Sequence, residues 1–300
     1  MHEHQTNQKA LIIALSITFF MMIFEFAGGL LSNSLALVSD AGHMLTDTSV
    51  LLLALLAMWI ARRAQASPER TFGYYRLEIL SALFNGAALL LVAGVILFES
   101  YQRYLHPQMV QSQLMLLVAA AGLLANLLGA WVLSSGRREN LNIKAAFWHV
   151  LSDAVSSVGV IAGGLIIYFT GWQIVDPLLG ALIALLIIRG ACDILTEAVE
   201  ILLEATPRDI KLEEVIQQIK GIEGIKDLHD VHIWTITSGF RALAAHVEIE
   251  DTKVSACGEL LEKINRRLND KFNITHATLQ LECQTCPGRP GLICPIPHTH

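Results

Sequence analysis

Six stretches of this chain are each long and apolar enough to be read as membrane-crossing helices, approximately 10–31, 38–60, 77–99, 113–133, 145–169 and 174–195. Hydrocarbon offers no hydrogen-bond partners, so a spanning segment has to satisfy its own N–H and C=O groups as a helix. About 20 apolar residues rising about 1.5 Å each cover a hydrocarbon core about 30 Å thick. The first stretch is too long, and too polar at its start, to read as a cleaved signal peptide. Of the 300 residues 53% are hydrophobic and only 16% charged, against about 25% charged in a soluble domain. A wholly soluble enzyme is a poor account of such a chain. With 21 Lys+Arg against 27 Asp+Glu and a net charge of −6, there is no basic footprint for nucleic acid either.

Orientation follows from Lys and Arg in the short connections, which stay on the cytoplasmic side. Arg62, Arg63, Arg70 and Arg76 follow the second stretch, and Arg137, Arg138 and Lys144 follow the fourth. The connections after the first, third and fifth carry only Arg103 between them. Both termini are therefore expected in the cytoplasm, with the protein in the cell (inner) membrane. Of the five cysteines, the three clustered in the last eighteen residues (Cys283, Cys286 and Cys294) then sit in a reducing compartment, where thiolates meet metals more often than each other.

Ionisable groups inside spans are costly and mark transport paths or relays. Here they are Glu25, Asp40, His43, Asp47, Glu78, Glu99, His149 and Asp153. Glu78 and Glu99 lie near span ends, where they can meet water. Glu25 reads equally as a packing partner or a relay group. The only two histidines within spans open the same short pattern, His43-Met44-Leu45-Thr46-Asp47 and His149-Val150-Leu151-Ser152-Asp153. Residues four apart share a helix face, so each helix presents one imidazole beside one carboxylate. Two such helices face to face supply the four ligands of a tetrahedral Zn²⁺ site, with Cd²⁺ or Co²⁺ fitting the same cage. Two buried His–Asp pairs that only hold helices together are the alternative, and the repetition of the pattern argues against it. Ca²⁺ and Mg²⁺ want more oxygens.

These residues resemble the cation diffusion facilitator family. The resemblance is carried by Ser34–Asp47, by Thr71-Phe72-Gly73-Tyr74-Tyr75-Arg76-Leu77-Glu78, by His149 with Asp153, by Asp176-Pro177, and by Leu203-Glu204-Ala205-Thr206-Pro207. It covers nearly the whole chain. It implies a membrane α-helical fold of six transmembrane helices followed by a ferredoxin-like α+β cytoplasmic domain, working as a homodimer that exchanges cytoplasmic Zn²⁺ for external H⁺. The His-Asp/His-Asp set resembles the zinc-type members. Some relatives carry a His-rich loop between spans four and five, but 134–144 has no histidine, so no metal delivery is assigned to it. The expected organisation is a cytoplasmic end at 1–9, a transport domain at 10–203, a cytoplasmic domain at 204–282 and a Cys/His/Pro-rich tail at 283–300.

The soluble segment reads α-β-β-α-β. Leu212, Val215, Ile216 and Ile219 form one helical stripe, and Val254, Cys257, Leu261, Ile264 and Leu268 another. Val231 and Ile233, then Leu243 to Ile249, then Ala277, Leu279 and Leu281 alternate as strands. Alternation puts His232, His246 and His276 on the sheet face away from the helices, and Glu282 shares the direction of His276. These four are expected to form a cytoplasmic metal site, in a region where the resemblance also places the dimer contact. Trp234 and Ile236 on the sheet are expected to be covered by a second subunit. Cys283 and Cys286, with Cys294, His298 and His300, make a metal-competent tail, but one Cys-x-x-Cys is a modest signal.

The function so read is export of Zn²⁺, with Cd²⁺ or Co²⁺ as further cargo, by proton antiport. No catalytic cofactor is expected. Asp40 and Asn126 line up as supports for the site. An intramembrane zinc enzyme is the alternative from another class, opposed by four ligands where catalysis needs an open position. A membrane metal sensor is the third.

Overall fold

The fold is described from a computed structural model, which describes residues 2–45, 48, 68–134 and 141–283. The described chain begins with six apolar helical segments: α1 (His2–Ser32), α2 (Leu35–Leu45), α3 (Leu77–Leu105), α4 (Ser112–Ser134), α5 (Leu141–Thr170) and α6 (Val175–Leu202). Among the described residues four reach membrane-crossing length and hydropathy: α3, α4, Val150–Thr170 of α5, and α6. Ser16–Ser32 and Leu35–Leu45 are shorter apolar pieces. The rest of the expected second span lies outside the described residues apart from Thr48.

Contacts divide the chain into two compact units, Met1–Leu56 with Ala82–Leu195, and Ala57–Ser81 with Thr196–His300. In the first unit α4 packs against both α1 and α5. Large apolar side chains such as Phe84, Leu91, Trp131 and Phe169 stand more than two-thirds exposed along these helices. A water-soluble protein rarely leaves so much apolar surface bare, whereas lipid covers it at no cost.

The start of α2 is built with care. Asn33 adopts a left-handed conformation (φ 55°) that ends α1, and the backbone N–H of Ser34 returns to Gly29 O at 2.9 Å. The first N–H groups of α2 have no partner within their own helix. Asp176 at the start of α6 supplies one. It accepts from Ser34 Oγ at 2.6 Å, Leu35 N at 2.7 Å and Ala36 N at 3.1 Å. Arg103 at the end of α3 stands 3.9 Å from the same carboxylate and donates to Asn33 O at 2.7 Å.

The second unit contains α7 (Leu212–Lys220), β1 (Ile225–Thr237), β2 (Phe240–Ile249), α8 (Val254–Phe272) and β3 (Ile274–Glu282). The sheet order is β1-β2-β3, with β1 and β2 antiparallel and β2 and β3 parallel. Both helices cover one face. Val215, Ile216 and Ile219 from α7 and Ile264 and Leu268 from α8 bury against Leu228, Val231, Ile233, Leu243, Ala245, Val247 and Ile249. The expected stripe on α8 begins one turn later than the sequence pattern implies, since Val254 in the first turn is 88% exposed.

The other sheet face departs from expectation. Its Trp234 and Ile236 end is met by residues of the same chain just before and at the start of α3. Phe72 stacks edge-on against His276 with ring centroids 5.8 Å apart, Tyr75 meets Phe240 at the same distance, and Thr237 Oγ1 donates to Glu78. Ile236 is 2% exposed within a single chain. Within the single chain Ile236 is thus buried, while Trp234 stays half-exposed.

Candidate metal centres

The intramembrane candidates sit on α2 and α5. His43 lies on α2, half-buried, with a buried Nδ1. Asp153 on α5 is 2% exposed. His149 is on α5 with its side chain outside the described residues, and Asp47 is outside them altogether. What is described brings the two helices together at this level. Ser156 Oγ, one turn beyond Asp153, donates to Asp40 Oδ1 at 2.5 Å, and Asp40 stands one turn before His43. Asp40 interacts electrostatically with both His43 and Asp153.

Asp40 and Asn126, expected as supports, lie near the described part of this site. Asp40 is buried and held by Ser156. Buried Asn126 on α4 donates to Ser157 Oγ at 3.4 Å, and Ser157 Oγ donates to the Asp153 carbonyl at 3.1 Å. Ser156 and Ser157 escaped the sequence reading. Nothing in a Ser-Ser pair on an apolar helix distinguishes packing from support.

In the cytoplasmic unit, His229, His246 and Glu282 form a cluster whose ligand atoms lie within 4.8 Å of one another. His246 Nδ1 is 2.8 Å from Glu282 Oε1, and His229 Nε2 is 3.3 Å from Glu282 Oε2. Zinc takes such ligands at about 2.0–2.2 Å, which puts neighbouring ligand atoms of a tetrahedral site about 3.3–3.6 Å apart, close to the separations here. Two imidazoles and a carboxylate match zinc chemistry, and all three are largely removed from solvent. Asp230 flanks the cluster, with Oδ2 3.8 Å from His246 Nε2 and Oδ1 3.1 Å from His232 Nε2.

Of the four expected cytoplasmic ligands, His246 and Glu282 converge, while His232 and His276 do not join them. All do lie on the non-helix face, as alternation predicted, but register spreads them along it. His246 is level with His229 on β1, His232 with Ala244, and His276 with Ala242. At about 3.3 Å per residue, His276 is displaced about 13 Å along the strand from His246. His232 contacts Asp230, and His276 lies between Phe72 and Phe240.

His229 was missed because an irregularity intervenes. The β1–β2 register shifts between His229 and His232, and Asp230 there has a positive φ of 49°. An extra residue in a strand reverses the direction of what precedes it, so His229 joins His246 on the open face. The signal was available: Leu228 and Val231 are both core residues but three apart, which breaks the period of two. Cys283 stands beside Asp251, with Sγ 3.9 Å from Oδ1, and Cys286 lies outside the described residues.

Comparison with known proteins adds independent findings. A family model for the cation efflux transmembrane domain matches residues 11–203, and one for the cytoplasmic domain of cation efflux proteins matches 207–284. The chain is 41% identical over 296 residues to a cadmium, cobalt and zinc/H(+)-K(+) antiporter of Bacillus subtilis (98% of this chain, 94% of the relative). It is 46% identical over 286 residues to the metal cation efflux system protein CzcD of Cupriavidus metallidurans (95% and 90%). It is 40% identical over 284 residues to the zinc transporter ZitB of Escherichia coli (94% and 90%).

Proposed function

This chain belongs to the cation efflux family, a multi-pass membrane transporter family with a cytoplasmic C-terminal domain, and from that premise we propose that it exports Zn²⁺ in exchange for protons. Cd²⁺ and Co²⁺ are further cargo on this reading, in keeping with the metals in the name of the Bacillus subtilis relative. The cargo is held by His43, Asp47, His149 and Asp153. The observation that carries the assignment is the Ser156–Asp40 hydrogen bond, which holds α2 and α5 together one turn from His43 and Asp153.

The chemistry follows from the donor set. Two neutral imidazoles and two carboxylates match the charge and geometry of Zn²⁺. The same groups bind protons once the metal leaves, because metal and proton compete for the same lone pairs. A carrier needs both states, loaded with metal on one side and protonated on its return. Asp40 and Asn126 position the site through Ser156 and Ser157.

His229, His246 and Glu282 form the cytoplasmic metal site, and Cys283 and Cys286 are secondary candidates in the tail. The protein works as a homodimer. The exposed His232 edge of the sheet, left open where the segment before α3 does not reach, supplies surface for a second copy. Both termini are cytoplasmic and the protein lies in the cell (inner) membrane, as the Arg and Lys distribution predicts. Flux of a panel of divalent ions into sealed vesicles, with and without an imposed pH gradient, tests the reading. Zinc uptake driven by the gradient is expected. Absence of metal flux from correctly inserted protein overturns it in favour of a sensor.

A further inference from the structure

Glu25 is a buried intramembrane carboxyl that the metal site described above does not use. It sits on α1 at 1% exposure, and neither carboxyl oxygen has a hydrogen-bond partner among the described residues. Its niche is made by a missing side chain. Opposite it on α4 is Gly122, where a Cβ would collide with Glu25 Oε1 and reach within 3.6 Å of Met21. The carboxyl therefore occupies space that any other residue at 122 would fill.

The sequence of α4 has no titratable residue, and Ser16–Ser32 of α1 has none besides Glu25. Gly122 stands one turn before Asn126 on α4, and Asn126 reaches Asp153 of α5 through Ser157, so Glu25 lies about one turn from the level of the metal site. His43 is the imidazole described near Asp40. Asp40 has a hydroxyl donor in Ser156, whereas among the described residues Glu25 has no hydrogen-bond donor. As an anion in that niche it would be stabilised by nothing described, and as a neutral acid it needs no counter-ion.

We propose that Glu25 is a proton-binding group of the transport cycle, neutral when the nearby metal site is empty and ionised when zinc occupies it. The inference rests on the antiport reading above. Zinc arriving from the cytoplasm brings two positive charges beside the carboxyl. The Glu25 O–H bond then breaks, the proton passes to water on the cytoplasmic side, and the carboxylate stays as a counter-charge. When zinc departs outward, a proton from that side re-forms the O–H bond. By linkage, zinc lowers proton affinity at Glu25 by the same factor that the proton lowers zinc affinity.

The test uses the full-length protein in liposomes, with zinc and proton fluxes recorded together. Glu25→Gln keeps the shape and removes the titration. Its proton-to-zinc ratio should fall by about one, the most that a single group can carry, and Glu25→Asp should restore it. An unchanged ratio in Glu25→Gln overturns the proposal. Infrared difference spectra give a readout that needs no transport. Zinc is expected to remove a protonated carboxyl band from wild type, and the component due to Glu25, beyond that of the site aspartates, should be missing from Glu25→Gln. The same zinc-induced band in both proteins, or none in wild type, overturns the assignment. Zinc flux without any proton movement in wild type would instead defeat the antiport reading, and the infrared result would still decide Glu25.

Discussion

His229 and His246 stand directly opposite each other on antiparallel strands, with ring centroids 5.1 Å apart, and Glu282 touches both rings. The pair exists because the β1 register shifts just after His229. It concentrates two imidazoles and a carboxylate at one end of the sheet, while His276 is held at the other end against Phe72 and Phe240.

This separates the cytoplasmic histidines by function. In protein whose intramembrane site is disabled by Asp153→Ala, His229→Ala should weaken the remaining zinc binding by more than about tenfold, an effect at least as large as loss of a supporting contact. His276→Ala should leave it within a few-fold. Zinc titration by calorimetry checks both, and equal losses would place the site elsewhere.

At the intramembrane site, Asp153→Ala removes a buried charged ligand. Zinc flux should drop to background while the protein still inserts. Ser156→Ala removes only the donor to Asp40, so its flux should be reduced and not abolished. Full flux in an inserted Asp153→Ala protein would retire the ligand assignment.

Asp176 is wholly buried and accepts three hydrogen bonds at the start of α2. Asp176→Ala leaves those donors unmet, and each buried donor left unsatisfied costs about 1–3 kcal/mol. The thermal midpoint of the detergent-solubilised protein should fall, with transport falling too because α2 carries His43. An unchanged midpoint would mean that α2 is held by other contacts.

Gly122→Ala places a methyl group where Glu25 Oε1 lies. Overpacking of this kind costs about 1–3 kcal/mol. Pairing it with Glu25→Ala should relieve the clash, so the double variant should be more stable than the sum of the single effects. Simple additivity in a thermal-shift series would show that the two residues do not share that space.

Lys220 stands 2.5 Å from Asp227 and holds its carboxyl below the usual carboxylate range. The stability from this pair is present above the ordinary Asp pKa of about 3.9 and lost as pH falls through the lower folded value. Both side chains are at least 40% exposed, so screening limits the gain to under about 1 kcal/mol. Asp227→Asn should lower stability slightly at neutral pH and have no effect once the acid is titrated. Hydrogen exchange of β1 in the full-length protein, followed against pH, measures this.

The sequence by itself determined the features that depend on local pattern. Hydropathy marked the apolar helices, because a spanning segment satisfies its own backbone. Period-two alternation identified the strands and the open face carrying His232, His246 and His276, because side-chain direction along a strand is local. The His-x-x-x-Asp repeat singled out α2 and α5, because a helix brings residues four apart onto one face. Tertiary structure decided what depends on partners distant in the chain. The register of β2 against β1 and β3 set which histidines meet, and one irregularity at Asp230 exchanged His232 for His229. The segment before α3 covered Ile236, for which the sequence pattern implied a second subunit. Gly122 made room for the Glu25 carboxyl, and Asp176 closed the start of α2 across more than 130 residues of chain. Such pairings depend on helix packing and strand register, and no local window of sequence contains both partners.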